Sequence, residues 1–341
     1  MCHARNVMTF LEPHGGKMNR ICQLLAGAFL VATPLHGAYL VKNGSFINTK
    51  YLATLTVEEH FQHGLEDLKR KDWNEAIHQF RIVITSFEDS SLAKESLYFL
   101  GVALYEQDEL DVANKQFSAY LAKDNSTTHL EDVYRYKLSI AEKLASGQRR
   151  HLFGAESLPK LMTGRGIALE VYDEIASALP NHELAALALL GKAKLLQQRD
   201  EFALAIETYE TAVRRFPSSS FALQGYQGIS SCYFEQIRRE PQNVDALALA
   251  EINVKEIRRE FPQAKEALKI ESQFAKMQEM YAKALYETGQ LYERMSQPKA
   301  AVLYYSLAAT KFPSSSVAKQ SHERLKELSS YAEELHIAHL P

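Results

Sequence analysis

The chain has 341 residues, with Lys+Arg 39 against Asp+Glu 42 and a formal net charge of -3. So even a balance leaves no broad basic face and argues against nucleic acid as the main partner. With 46% hydrophobic residues, only 15 Gly and 10 Pro, and abundant Ala, Leu, Glu, Lys and Gln, the composition favours helix. The length suffices for a large core or a long repeat array.

In chain order, Lys17 and Arg20 precede an apolar run, ICQLLAGAFLVATPL, from Ile21 to Leu35. It is short for a membrane span and has the length of a secretory h-region. Pro34, Gly37 and Ala38 then supply a helix break and small residues, so residues 1–38 are predicted as a signal peptide cleaved after Ala38, with Met18 as an alternative start. The competing reading is a buried helix of a cytosolic protein. The cysteines are Cys2, Cys22 and Cys232; after cleavage only Cys232 remains, which predicts no internal disulfide. Cys232 sits in a helical Ile-Ser-Ser-Cys-Tyr-Phe run and is expected to pack as a small hydrophobe. Residues 39–56 read as a linker.

From Val57 onward a helical pattern repeats. Gly64, Ala76, Phe80 and Val83 define a first unit, with helices over Val57–Arg70 and Trp73–Phe87. Gly101, Ala113, Phe117 and Tyr120 define a second, over Leu92–Lys123, followed by an N-cap loop from Asp124 to Thr128. A third first-helix covers Glu131–Ala145. Residues 147–164, GQRRHLFGAESLPKLMTG, then interrupt the pattern without a clear period. This insertion reads equally as a functional loop or as an extended turn packing its Leu and Phe. The third unit resumes with Ala168, Tyr172, Ile175 and Pro180.

Ala193, Ala205, Tyr209, Ala212 and Pro217 mark a regular fourth unit. Its closing Phe-Pro-Ser-Ser-Ser recurs at Phe312–Ser316, where the serines are expected to cap helices. A fifth unit starts near Gly228, and its second helix (Ala250, Val254, Ile257, Pro262) is delayed by the segment Arg238–Asp245. The sixth combines a long helix over Ala264–Arg294 with Gly289, Ala301, Tyr305, Ala308 and Pro313. A last helix from Val317 to Leu335 is expected to cap the array. No convincing alternating strand run appears in the repeat region.

A small residue, then Ala, an aromatic, Ala and Pro at steps of twelve, four and three resembles the tetratricopeptide repeat. The predicted fold is all-α: a tetratricopeptide-repeat superhelical solenoid of about six helix-turn-helix repeats and a C-terminal capping helix. N-terminal repeats would cover residues 57–146 and C-terminal repeats residues 165–341.

No HExxH, P-loop, nucleophile elbow or Cys-x-x-Cys occurs, and Gly164-Arg165-Gly166 lacks a third glycine and a preceding strand. The 12 histidines have no ligand spacing, so no catalysis, cofactor or metal is expected. What remains is surface. If first helices line a concave groove, Phe61, Leu65 and Lys69 face it in the first unit, and Tyr98, Val102 and Tyr105 in the second, extended by Tyr134 and Tyr136. Such an aromatic groove suits an extended peptide, with interhelical core as the alternative. Arg238, Arg239, Arg258 and Arg259 form two Arg-Arg-Glu runs, a candidate docking patch or simply cations placed by the helix dipole.

From Arg239-Glu240-Pro241-Gln242 onward the chain resembles the BamD (ComL/YfiO) family of periplasmic lipoproteins in outer-membrane β-barrel assembly. The likeness continues through Phe261-Pro262, the long helix Lys269–Arg294, Phe312-Pro313 and the closing helix. It implies a non-catalytic scaffold at the inner face of a bacterial outer membrane. C-terminal repeats would contact a BamA-like barrel protein, and N-terminal repeats would bind unfolded outer-membrane proteins. The family carries lipid on an N-terminal cysteine, whereas no cysteine follows the apolar run here. Other readings are a different periplasmic repeat adaptor or a cytosolic chaperone of secretion substrates.

Overall fold

The structure is a computed structural model that describes residues 39–42, 45–123 and 128–334. The predicted signal peptide, most of the Asp124–Thr128 loop and the end of the last helix lie outside the described residues. Fourteen α-helices follow one another: α1 Val57–Lys69, α2 Trp73–Ser86, α3 Ser91–Glu106, α4 Leu110–Ala122, α5 Leu130–Ala145, α6 Arg165–Ala178, α7 Glu183–Gln198, α8 Phe202–Arg215, α9 Ser220–Arg239, α10 Val244–Glu260, α11 Lys265–Arg294, α12 Pro298–Lys311, α13 Ala318–Glu327 and α14 Ser329–Glu334. Consecutive helices pair from α1/α2 to α11/α12, giving six repeats, and α13 and α14 cover the end. This is the predicted all-α tetratricopeptide-repeat solenoid.

Two local devices build each repeat. The first is the turn. Lys71 (φ 62), Asp108 (φ 56), Asp200 (φ 63) and Ser296 (φ 57) occupy the left-handed region at the same place in four repeats. Each allows a backbone bond that closes the first helix: Asp72 N to Asp67 O at 2.8 Å, Glu109 N to Leu104 O at 2.9 Å, Glu201 N to Leu196 O at 3.0 Å and Gln297 N to Tyr292 O at 2.9 Å. These are Schellman closures, which satisfy orphan carbonyls and start the second helix at once. The second device is a ring wedged against a glycine. A Cβ at Gly64 would lie 2.7 Å from Phe80, at Gly101 2.6 Å from Phe117 and at Gly289 2.6 Å from Tyr305. Between repeats, Gly191 receives Tyr172 and Gly228 receives Tyr209 at 2.8 and 2.3 Å in the same sense.

Three expectations are corrected. Residues 39–56 are not a plain linker. Tyr39–Lys42 (β1) and Ser45–Asn48 (β2) form an antiparallel hairpin, and a 3-10 turn follows at Thr49–Tyr51. The next residues are pinned to the first repeat: Ala53 N donates to Ser86 Oγ at 3.1 Å, and Thr54 N and Leu55 N donate to Nε2 of buried His60 at 3.2 Å. They cap the solenoid where its first repeat has no neighbour. Second, the insertion contains strands, β3 Arg149–His151 and β4 Lys160–Thr163, paired antiparallel with an irregularity between Arg150 and His151. They were hidden because three- and four-residue strands are too short to display alternation. Third, the serine runs differ. Ser219 caps α9 by accepting from Ala222 N at 3.2 Å, while Ser316 is bound to Glu279 and α13 starts after Val317 without a side-chain cap.

The 30-residue α11 has two jobs. Ala267 and Ile270 in its first half pack with Tyr226 and Ile257, and its second half pairs with α12. Leu325 and Ala332 then close over Ala301, Val302 and Tyr305, with Arg324 Nη2 2.5 Å from Glu293 Oε1. Gly289→Leu is expected to force Tyr305 out of this seat at a cost of about 1 to 3 kcal/mol, a usual penalty for overpacking. A urea melt of the variant checks it, and an unchanged midpoint would refute the wedge.

Candidate functional site

The N-terminal rings were expected to be partly exposed, and most are not. Phe61 is 8% exposed and lies edge-on to Phe80 and Phe99. Tyr98 is 9% exposed and stacks on His129 at 4.0 Å, and burial pushes its phenol up to about 12. Tyr134 and Val102 are buried as well. These side chains seal one repeat against the next, because a ring of that size fits the interhelical gap better than water does. Tyr105 and Tyr136 are half-buried and meet edge-on at 5.1 Å. Tyr105 Oη lies 2.6 Å from Ser139 Oγ, and Lys143 Nζ is 4.3 Å from the ring centre. Leu65 is half-buried, and Lys69 is exposed.

Each of the four arginines already has a carboxylate. Arg238 pairs with Glu235 at 2.5 Å and Arg259 with Glu260 at 3.4 Å, both within their own helices. Arg239 joins α9 to the preceding repeat through Asp200 at 2.5 Å and lies over the Phe202 ring at 4.9 Å. Arg258 ties α10 to Glu271 of α11 at 2.8 Å. Arg239 and Arg258 therefore work between elements.

Next to the end of α9, where Arg238 and Arg239 lie, is a recess that sequence spacing did not reveal. Glu240, Pro241, Gln242 and Asn243 at the α9–α10 turn face Thr288, Leu291 and Arg294 of α11 across an open cleft of about 620 Å³. Gln242 Nε2 donates to Thr288 Oγ1 at 2.6 Å, and Leu291 is 47% exposed. The cleft exists because Arg238–Asp245 delays the second helix while α11 runs on past it.

The insertion forms a second candidate. The third repeat begins its turn like the others, with Gly147 at φ 115 and Gln148 N bonded to Lys143 O at 3.2 Å. The chain then leaves as the β3–β4 hairpin and returns at Gly164, where a Cβ would strike Leu144 at 2.4 Å. The hairpin lies across the second helices of the two preceding repeats. His151 Nδ1 is 2.9 Å from Asp111 Oδ1 and its Nε2 is 3.2 Å from Glu109 Oε2. Lys160 Nζ lies 3.0 Å from Glu109 Oε1 and donates to Asp108 O at 2.8 Å. Lys115 Nζ donates to Gly154 O, and Arg81 grips Glu156 at 2.5 and 2.7 Å.

The ligand atoms of Glu109, Asp111 and His151 all lie within 4.8 Å of one another, a group the sequence did not single out. Both ring nitrogens of His151 already face carboxylates and the Lys160 ammonium sits on Glu109, so a cation entering there would meet that ammonium. The arrangement works as an ionic latch holding the hairpin. Asp111→Ala leaves a buried, half-satisfied ring and is expected to cost about 3 kcal/mol. It should also open residues 149–163 to protease, which mass spectrometry of a limited digest checks.

Lys137 was also missed. Its amine is fully buried, 2.9 Å from Glu174 Oε2 and 2.6 Å from Ser118 Oγ, and joins α5 to α4 and α6. Burial holds the amine below the ordinary lysine range, with Glu174 opposing. The unfolded chain then binds the proton more tightly, so this group opposes folding at neutral pH and stops doing so as pH climbs towards the ordinary lysine value. Lys137→Met is expected to stabilise by about 1 kcal/mol and to flatten that alkaline gain, measured by thermal melts at neutral and alkaline pH. Cys232 is buried, and its thiol is pushed up to about 12, which leaves it unreactive.

Fold and site together define a tetratricopeptide-repeat solenoid, an architecture that generally serves as a non-catalytic protein-interaction scaffold. Models of the tetratricopeptide repeat match residues 61–126 and 187–219. No curated protein matches the sequence. Among solved structures, the chain is similar to MamA, at 13% identity and TM-score 0.34, over 63% of this chain and 97% of that one. It is also similar to a tetratricopeptide repeat protein from Parabacteroides merdae, at 16% identity and TM-score 0.33, over 79% of this chain and 98% of that one.

Proposed function

We propose that this scaffold serves outer-membrane β-barrel assembly from the periplasm, docking a BamA-like barrel protein through its C-terminal repeats and receiving unfolded outer-membrane proteins. The observation that carries the reading is the C-terminal cleft. The residues on which the BamD resemblance rests, Glu240-Pro241-Gln242 and the long helix α11, are the two walls of that cleft. A family trait written into sequence thus coincides with an open recess that has apolar Leu291 and charged Glu287 and Arg294 on its rim. Central apolar contacts within a polar rim suit a protein partner.

The client side rests on less of the N-terminal surface than the ring pattern suggested. Phe61, Tyr98 and Tyr134 hold repeats together, so peptide contact falls to Tyr105, Lys69 and Leu65.

The test is capture of the purified periplasmic domains of a BamA-like protein. Leu291→Arg is expected to weaken capture by about tenfold, as loss of an interface anchor does, with an unchanged melting curve. Arg238→Glu with Arg259→Glu should weaken it further while sparing the interhelical pairs of Arg239 and Arg258. Capture that is equal for wild type and both variants removes the cleft and the arginines from the interface. No capture by the wild type rejects the outer-membrane reading and leaves a scaffold with a different partner.

A further inference from the structure

We propose that the inserted β3–β4 hairpin is a peripheral contact for an anionic lipid surface, with Phe153 as the inserted anchor. Two features of the hairpin are costly unless something outside the chain rewards them. Phe153 is 83% exposed, and its backbone has φ 52, a conformation a bulky side chain adopts only under constraint. Leu161 is 59% exposed and Leu158 37%, so the tip and the outer strand face are apolar together. Arg149 pairs across the ladder with Thr163, two residues from Leu161, which places that cation on the same outer face.

Charge selects the occupant. Residues 147–165 carry Arg149, Arg150, Lys160 and Arg165 against the single acid Glu156, on a chain whose net charge is -3. Glu156 is neutralised by Arg81 and Lys160 is held by Glu109. Among the described residues Arg149, Arg150 and Arg165 have no ion pair, which leaves a surplus of positive charge on the segment that exposes the Phe153 ring and two leucines. Three apolar side chains are too few for a stable protein interface of about 800 Å² per partner. They are enough for an interfacial contact, in which a buried ring and a few cations near anionic headgroups add up. No helix among the described residues is long and apolar enough to cross a membrane. The latch of His151 on Asp111 and Glu109, with Arg81 on Glu156, fixes the hairpin rigidly enough to present its tip.

The proposal does not depend on the outer-membrane reading, because partner capture is measured without lipid. Its test is sedimentation of the full chain with vesicles of phosphatidylcholine alone and of equal parts phosphatidylcholine and phosphatidylglycerol. Since every variant keeps the N-terminal apolar run, the difference between wild type and variant is what counts. The wild type is expected to pellet preferentially with the anionic vesicles and to be released by salt. Phe153→Gly should lower partitioning about tenfold. Glycine accepts φ 52 without strain, so this variant should melt no lower than the wild type, which separates lost contact from lost fold. Arg149→Glu with Arg165→Glu should lower partitioning by about tenfold or more at low salt. Equal binding to both vesicle types, no binding to either, or variants that partition like the wild type overturns the proposal; the apolar tip would then belong to a protein contact or to none.

Discussion

The solenoid depends on one steric fit, an aromatic ring of a second helix seated where the facing helix has no Cβ. Phe80 on Gly64, Phe117 on Gly101 and Tyr305 on Gly289 are the same contact made three times, and Tyr172 on Gly191 and Tyr209 on Gly228 extend it between repeats. The ring fills the space a side chain would take, so the helices come close and dispersion contacts accumulate on both sides of it. The contact closes the first, second and sixth repeats internally and ties the third to the fourth and the fourth to the fifth. The ends need different solutions. At the start, residues 49–55 fold back onto α1 and α2, and at the end α13 and α14 cover Tyr305.

That packing decides which surfaces are left for partners. Rings at regular helical spacing are attractive as a peptide groove, but Phe61, Tyr98 and Tyr134 sit between helices because a regular repeat uses its regular aromatics for itself. Binding surface is left where regularity fails. The late second helix of the fifth repeat opens the cleft under Pro241 and Gln242, and the spliced hairpin of the third repeat carries Phe153 to solvent.

The hairpin also shows how an irregular element is accommodated without damage. It enters after Gln148 and leaves at Gly164, points that meet over Leu144, so α5 and α6 pack as in an uninterrupted repeat. Polar bonds then hold it down: buried His151 bonded to Asp111 through both its ring and its backbone N–H, and Arg81 reaching Glu156 from the first repeat. Hydrogen-bonded ion pairs that are partly withdrawn from water suit this task, since they fix geometry while adding little apolar core.

Sequence by itself determined the helical repeats and their count of six, because twelve-four-three spacing of small and aromatic residues has one physical reading: faces that must meet at helical period. It read the closing helix from Val317 to Leu335 as one, whereas the chain breaks at Leu328 into α13 and α14, and it started the fifth unit near Gly228, which lies inside α9. It also placed Gly289, the break at residues 147–164 and the delay at Arg238–Asp245. Tertiary structure alone decided the rest. Whether Tyr105 or Tyr98 meets water depends on what the following repeat brings against it, here Tyr136 in one case and His129 in the other. The pairing of His151 with Asp111, of Lys137 with Glu174 and of Arg239 with Asp200 joins residues 37 to 40 apart through the stacking of repeats. Local periodicity reports which face of a helix is apolar; it holds no information about what the next helix lays upon that face.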